Sequence, residues 1–171
     1  MKNTTRLLAV TLFLAALPML SLPTFAQTHD WTSVGVGGRV DETGAFKITF
    51  SGPTLKFNSI STGDIVLRYP VTNTYGSGTS KTPAWTTLWS TYKDNSSSGS
   101  VTTKLYEVDE CSDGETLICT ISSSDSSSNQ CSSCTFSSST FDFANNTYWV
   151  EVTLSRSATS AAEEIHSVAV N

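Results

Sequence analysis

The sequence predicts an all-β chain folded as an antiparallel β-sandwich, with a jelly roll as the favoured form. Three observations carry this. Apolar residues recur at every second position through short segments. Clusters of Gly, Asn, Ser and Asp separate those segments, and no stretch shows long helical periodicity. Successive side chains of a strand point to opposite faces, so this pattern describes strands with one face in a core.

The first element is not part of that fold. Lys2 and Arg6 precede an apolar run from Leu7 to Leu22, interrupted by Pro18, and Thr24-Phe25-Ala26 puts small residues where a signal peptidase cuts. Residues 1–26 are therefore expected to be a secretory signal peptide, and 27–171 a single sandwich domain, secreted or periplasmic. No cysteine follows the apolar run, and the ending Ser167-Val168-Ala169-Val170-Asn171 reads as a strand. Neither a lipid nor a C-terminal anchor is expected, nor insertion into a membrane once the leader is removed.

The strands follow in order. Phe46, Ile48 and Phe50 alternate with Lys47 and Thr49, and are expected to face the core. Leu55 and Phe57 come next. Ile65, Leu67, Tyr69 and Val71 share a face opposite Arg68, with Pro70 predicting an edge or a bulge because proline donates no ladder hydrogen bond. Ala84 to Lys93 carries Trp85, Leu88, Trp89 and Tyr92. Val101 to Val108 and Leu117 to Ser122 follow. Thr147 to Leu154 is the clearest: Tyr148, Val150, Val152 and Leu154 on one face, Trp149, Glu151 and Thr153 on the other. Ile165 to Val170 ends the chain. The one candidate helix is Thr159 to Glu164. Residues Tyr75 to Thr82, Asn95 to Ser100 and Ser122 to Thr140 read as surface loops; eleven of the last 19 residues are serine, too little apolar area to offset the entropy of ordering.

Charged residues make up 15 % of the chain, with 10 Lys and Arg against 15 Asp and Glu. The leader holds two of the basic residues and no acid, so the remainder is more acidic still. This balance suits an extracellular surface and is a poor match for phosphate backbones and anionic membranes, so no nucleic-acid partner is expected.

Cys111, Cys119, Cys131 and Cys134 lie close together, and in an oxidising compartment all four are expected in disulfides. Three pairings exist. Cys111–Cys119 with Cys131–Cys134 is favoured, since each would staple a short loop; Cys119–Cys131 nested within Cys111–Cys134 is the alternative. Cys131-Ser-Ser-Cys134 has the C-x-x-C spacing of thiol oxidoreductases but lacks the helix N-terminus that lowers the thiol pKa.

No nucleophile–base motif and no H-E-x-x-H is present, and the only histidines are His29 and His166. A small extracellular hydrolase is accordingly the least favoured reading. Asp109, Glu110, Asp113 and Glu115 gather around Gly114. Such oxygen donors make calcium the one cofactor the sequence admits, but the spacing departs from an EF-hand and reads first as a solvated acidic turn. The sequons at Asn95 and Asn145 are expected to be unused.

The aromatics point to a ligand. Trp149 falls on the polar face of its strand beside Glu151, and Trp85 and Trp89, four residues apart, share a face with Thr87 and Thr91. An indole ringed by hydroxyls and acids offers a surface for a sugar ring. The leading expectation is a non-catalytic binding module for carbohydrate or another surface polymer, using Trp149, Glu151, Trp85 and Trp89. The alternative is a structural or assembly subunit of an envelope or appendage. No motif specifies the oligomeric state.

Three stretches, Tyr148 to Arg156 with Ile165 to Val170, Leu67 to Thr74, and Lys104 to Val108, resemble uncharacterised secreted bacterial domains. The resemblance implies a β-sandwich and carries over no site residue. Likeness to fimbrial subunits is poorer, because the cysteines lie late and no donor-strand segment is evident near Gln27.

Overall fold

The computed structural model describes residues 31–73, 83–112 and 114–171. The expected leader, His29, the Tyr75 to Thr82 loop and Asp113 lie outside the described residues.

Among the described residues, eleven strands form two antiparallel sheets packed face to face. The first sheet runs β3 (Ile48–Ser51), β4 (Thr54–Phe57), β11 (Glu163–Val170), β6 (Thr87–Asp94), β9 (Ser126–Thr135), with β1 (Trp31–Val34) also on β11. The second runs β2 (Arg39–Val40), β5 (Gly63–Val71), β10 (Asn146–Arg156), β7 (Gly99–Asp109), β8 (Glu115–Ser122). The expected sandwich is the observed one.

The period-two pattern sets which face is buried. Along β10, Tyr148, Val150, Val152 and Leu154 are buried; along β5, Ile65, Leu67, Tyr69 and Val71 are. They meet Leu88, Tyr92, Ile165, Val168 and Val170 of the opposing sheet in one core. Burial of such side chains, about 1.5–3 kcal/mol each, is the main stabilising term. One polar contact crosses the core, Ser90 to Thr103 at 2.8 Å, so neither hydroxyl is left unpaired. Pro70 sits past the end of two-residue β2, where β5 has an open side among the described residues. It satisfies the edge expected of a proline.

Several expectations are corrected. Most of the Ser-rich segment is not a loop: β9 pairs with β6 from Thr135 back to Ser126. Its backbone groups are satisfied by the ladder, and Cys134 and Phe136 pack on the core. Ser-only stretches carry no apolar alternation, which is why this strand is silent in the sequence. The Thr159 to Glu164 helix does not form; a turn there leads directly into β11. On β3 only Ile48 packs on the core, while Phe46 is 73 % and Phe50 59 % exposed, because β3 lies at the sheet edge.

The cysteines also differ. Cys119 of β8 is bonded to Cys134 of β9, and Cys111 and Cys131 are free and exposed. The favoured local pairs fail for a topological reason. Along β9, Cys134 shares the inner side with Phe136, while Cys131 lies in register with Thr91 on the outer face. The bond therefore joins the edge strands of the two sheets.

A 3₁₀ turn, Gly35–Gly37, links β1 to β2 and closes one side of the sandwich. Val36 N donates to Pro53 O at 3.1 Å, and the buried Tyr69 hydroxyl donates to Gly35 O at 2.7 Å. Burial pushes the Tyr69 phenol well above its ordinary pKa, so it remains a donor.

Candidate functional site

The outer face of the second sheet carries the densest chemistry. Strand register sets its layout. One row across the sheet reads Pro70, Trp149, Tyr106, Leu117, and the next reads Arg39, Arg68, Glu151, Lys104, Thr120. Residues directly opposite on antiparallel strands share a face with Cβ atoms about 4.5–5.5 Å apart. An apolar row thus lies alongside a charged one.

Within this face Tyr106 and Trp149 stack, with ring centroids 4.8 Å apart and planes at 17°. The Arg68 guanidinium lies over the indole at 5.0 Å and reaches Glu151 Oε2 at 3.4 Å. Leu117 is 49 % exposed at the row's end. The indole stands between a phenol and a guanidinium, so its two faces are covered. The Arg68 cover is the lighter one: its side chain is half exposed, and an exposed cation–π contact is worth only about 0.5–1 kcal/mol. Arg68 also lines a groove of about 360 Å³ with Arg39, Val40, Asp41 and Glu42. A ring entering this groove can displace the guanidinium and take its place on the indole. Guanidinium and carboxylate groups beside an aromatic plane are suited to the hydroxyls and apolar face of a sugar.

The predicted tryptophans do not form one site. Trp85 is buried, 1 % exposed, edge-on to Phe141 at 5.0 Å and Phe143 at 6.1 Å. Period-two spacing to Trp89 fails because Trp85 precedes the start of β6 at Thr87. Trp85 is a core residue, which corrects its assignment as a ligand contact. Trp89 is half-buried on the outer face of the other sheet, its Nε1 donating to Asn171 Oδ1 at 2.8 Å. Trp149 and Glu151 do share a face. Arg39, Arg68, Lys104, Tyr106 and Leu117 join them only through register, which no single segment shows.

Of the calcium candidates, Asp109 ends β7, Glu110 lies in the turn that follows and Glu115 opens β8. The Asp109 carboxylate accepts from Cys111 N at 2.8 Å, and that backbone bond holds its pKa below the ordinary carboxylate value. No group of three or more His, Cys, Asp or Glu among the described residues could hold a metal ion. His166 forms a β-bulge on β11; its Nδ1 is 3.0 Å from Thr54 Oγ1.

A second charge cluster lies at one pole of the sandwich. Glu163 and Asp94 are cross-strand partners, 0 % and 1 % exposed. Ser123 Oγ donates to Asp94 Oδ2, but no donor among the described residues reaches Asp94 Oδ1 or either Glu163 oxygen. Nearby Arg156 is turned to carbonyls, donating to Ser61 O at 2.7 Å, Ala161 O at 2.9 Å and Asn58 O. Burial first, and then the Asp94 charge, push the Glu163 carboxyl up to about 7. This is a structural acid pair facing inward.

No protein-family model and no curated protein sequence matches the chain. Among solved structures, the chain is similar to the carbohydrate-binding module TmCBM61, determined in complex with β-1,4-galactotriose. The TM-score is 0.46 at 8 % identity, covering 82 % of this chain and 86 % of that one. A likeness at this level transfers neither a ligand nor a residue to this chain.

Proposed function

We propose that the protein is an extracytoplasmic, non-catalytic carbohydrate-binding module that uses the outer face of the second sheet. The observation that carries this is Trp149, held on an open sheet face with one side fixed by Tyr106 and the other covered by a half-exposed arginine beside a polar groove. Such an aromatic supplies apolar contact, and Glu151, Arg68 and Arg39 supply the directional polar groups that orient a sugar.

The test is depletion binding of purified protein to a panel of insoluble and soluble polysaccharides. Trp149→Ala is expected to weaken binding at least about tenfold, as removal of a buried aromatic anchor does. Phe46→Ala, which alters an exposed aromatic in the turn before the other sheet's edge strand, is expected to leave it unchanged. Full binding by a folded Trp149→Ala protein would reject the site.

A second reading, an assembly subunit, draws on edge strand β3, its exposed Phe50 and the exposed Phe46 just before it. Unpaired edges with apolar side chains are templates for association. Light scattering that finds a monomer at high concentration removes it.

A further inference from the structure

We infer that the saccharide recognised on this face is anionic, carrying carboxylate groups that the Arg39–Arg68–Lys104 row receives. This rests on the carbohydrate reading above and specifies its ligand class.

Charge placement is the first ground. The chain has 10 Lys and Arg against 15 Asp and Glu, yet Arg39, Arg68 and Lys104 stand in a single cross-sheet row whose one acid is Glu151. The second ground is the state of those cations. Only Arg68 has an anionic partner, at an exposed 3.4 Å contact. Among the described residues the side chains of Arg39 and Lys104 have neither an ion pair nor a hydrogen bond. Neither acid of the groove relieves Arg39: the Asp41 carboxylate accepts from Gly44 N at 2.7 Å and from Thr43 Oγ1 at 3.2 Å, and Glu42 forms no ion pair with Arg39 among the described residues. Third, Arg39 and Arg68 are direct cross-strand partners, and like charges so placed are destabilising in the unliganded sheet. An anion between them reverses the sign of that interaction. Two adjacent guanidinium forks match the planar, two-oxygen geometry of a carboxylate better than two ammonium groups would.

The parallel rows then define a ligand with two aspects. Its apolar ring face lies along Trp149, Tyr106 and Leu117, and its acidic substituents lie along Arg39, Arg68 and Lys104. A uronic-acid polymer has this pairing at every residue; a sulfated polysaccharide shares its charge but not its planarity.

The experiment is affinity electrophoresis of the full chain and its Arg39→Ala, Arg39→Lys and Lys104→Gln variants in gels containing polygalacturonate, dextran sulfate or neutral β-1,4-galactan. Arg39 is exposed, so these variants should fold, and circular dichroism checks that they do. The expected result is retardation by polygalacturonate, weakened about tenfold or more by Arg39→Ala and only partly restored by Arg39→Lys. Raising NaCl from about 50 to 500 mM should abolish most of it, since salt screens exposed charges. Retardation by dextran sulfate alone overturns the carboxylate assignment. Retardation by galactan alone, indifferent to salt and to Arg39, overturns the anionic inference and leaves the carbohydrate reading standing. Retardation by none of the three, extended to the wider polysaccharide panel without a binder, overturns both.

Discussion

Alanine at position 35 is expected to destabilise the protein by more than about 3 kcal/mol, read as a lowered urea midpoint at unchanged slope. Gly35 opens the 3₁₀ turn that presses between β4 and β11. A Cβ there would lie 2.1 Å from the Ile165 carbonyl oxygen, 2.9 Å from its carbon and 3.1 Å from Pro53 O. The Ile165 atoms are backbone of the paired strand β11 and Pro53 O is backbone of the turn into β4, so none can swing aside as a side chain can. The turn cannot retreat either, because Val36 N is bonded to Pro53 O and the Tyr69 hydroxyl to Gly35 O. The comparison is Gly37→Ala, whose new Cβ would meet only the Ser33 hydroxyl, at 2.5 Å. That flexible end can rotate, so the cost should stay below about 1 kcal/mol. Equal costs at the two positions would show that the turn is not clamped.

Stability is expected to fall as pH rises from about 4.5 to about 7, and Glu163 is the cause. Its carboxyl has an ordinary value of 4.5 and sits at about 7 in the folded protein. The folded state therefore holds this proton more tightly than the unfolded chain does. The stabilisation is complete below 4.5 and is lost as pH passes through 7. By linkage it amounts to about 3 kcal/mol. Glu163→Gln keeps the shape without the ionisation. The variant should match the parent at pH 4.5, exceed it by about 3 kcal/mol at pH 8, and shift the thermal midpoint accordingly. Coincident curves for the two proteins across that range would remove Glu163 as the titrating group.

The legibility of this chain follows the presence of apolar contrast. Strands such as 63–71 and 146–156 announce themselves because each core residue is flanked by polar ones. Strand 126–135 does not, since serine stands on both faces and only Cys134 is anchored inward. Trp149 and Glu151 are identifiable as outward-facing from one segment alone. Tyr106, Arg68, Arg39 and Lys104 are not, because their grouping depends on which strands neighbour β10 and in what register. Trp85 misleads for the complementary reason: it stands two residues before the strand whose alternation its spacing mimics. The cysteine pairing depends on strands of different sheets meeting at one edge, which spacing along the chain does not encode.

The Cys119–Cys134 bond closes a ring 15 residues apart in sequence, and that ring contains the turn between the two edge strands, residues 123–125. Extracellular proteases cut at such exposed turns. A cut there leaves the two fragments covalently joined, so the nicked protein would migrate as one species until reduced and as two afterwards. The ladder contacts of β8 with β7 and of β9 with β6 would remain on either side of the break. In a protease-rich environment the linkage thus turns backbone scission at the sandwich edge from loss of the molecule into a tolerated scar.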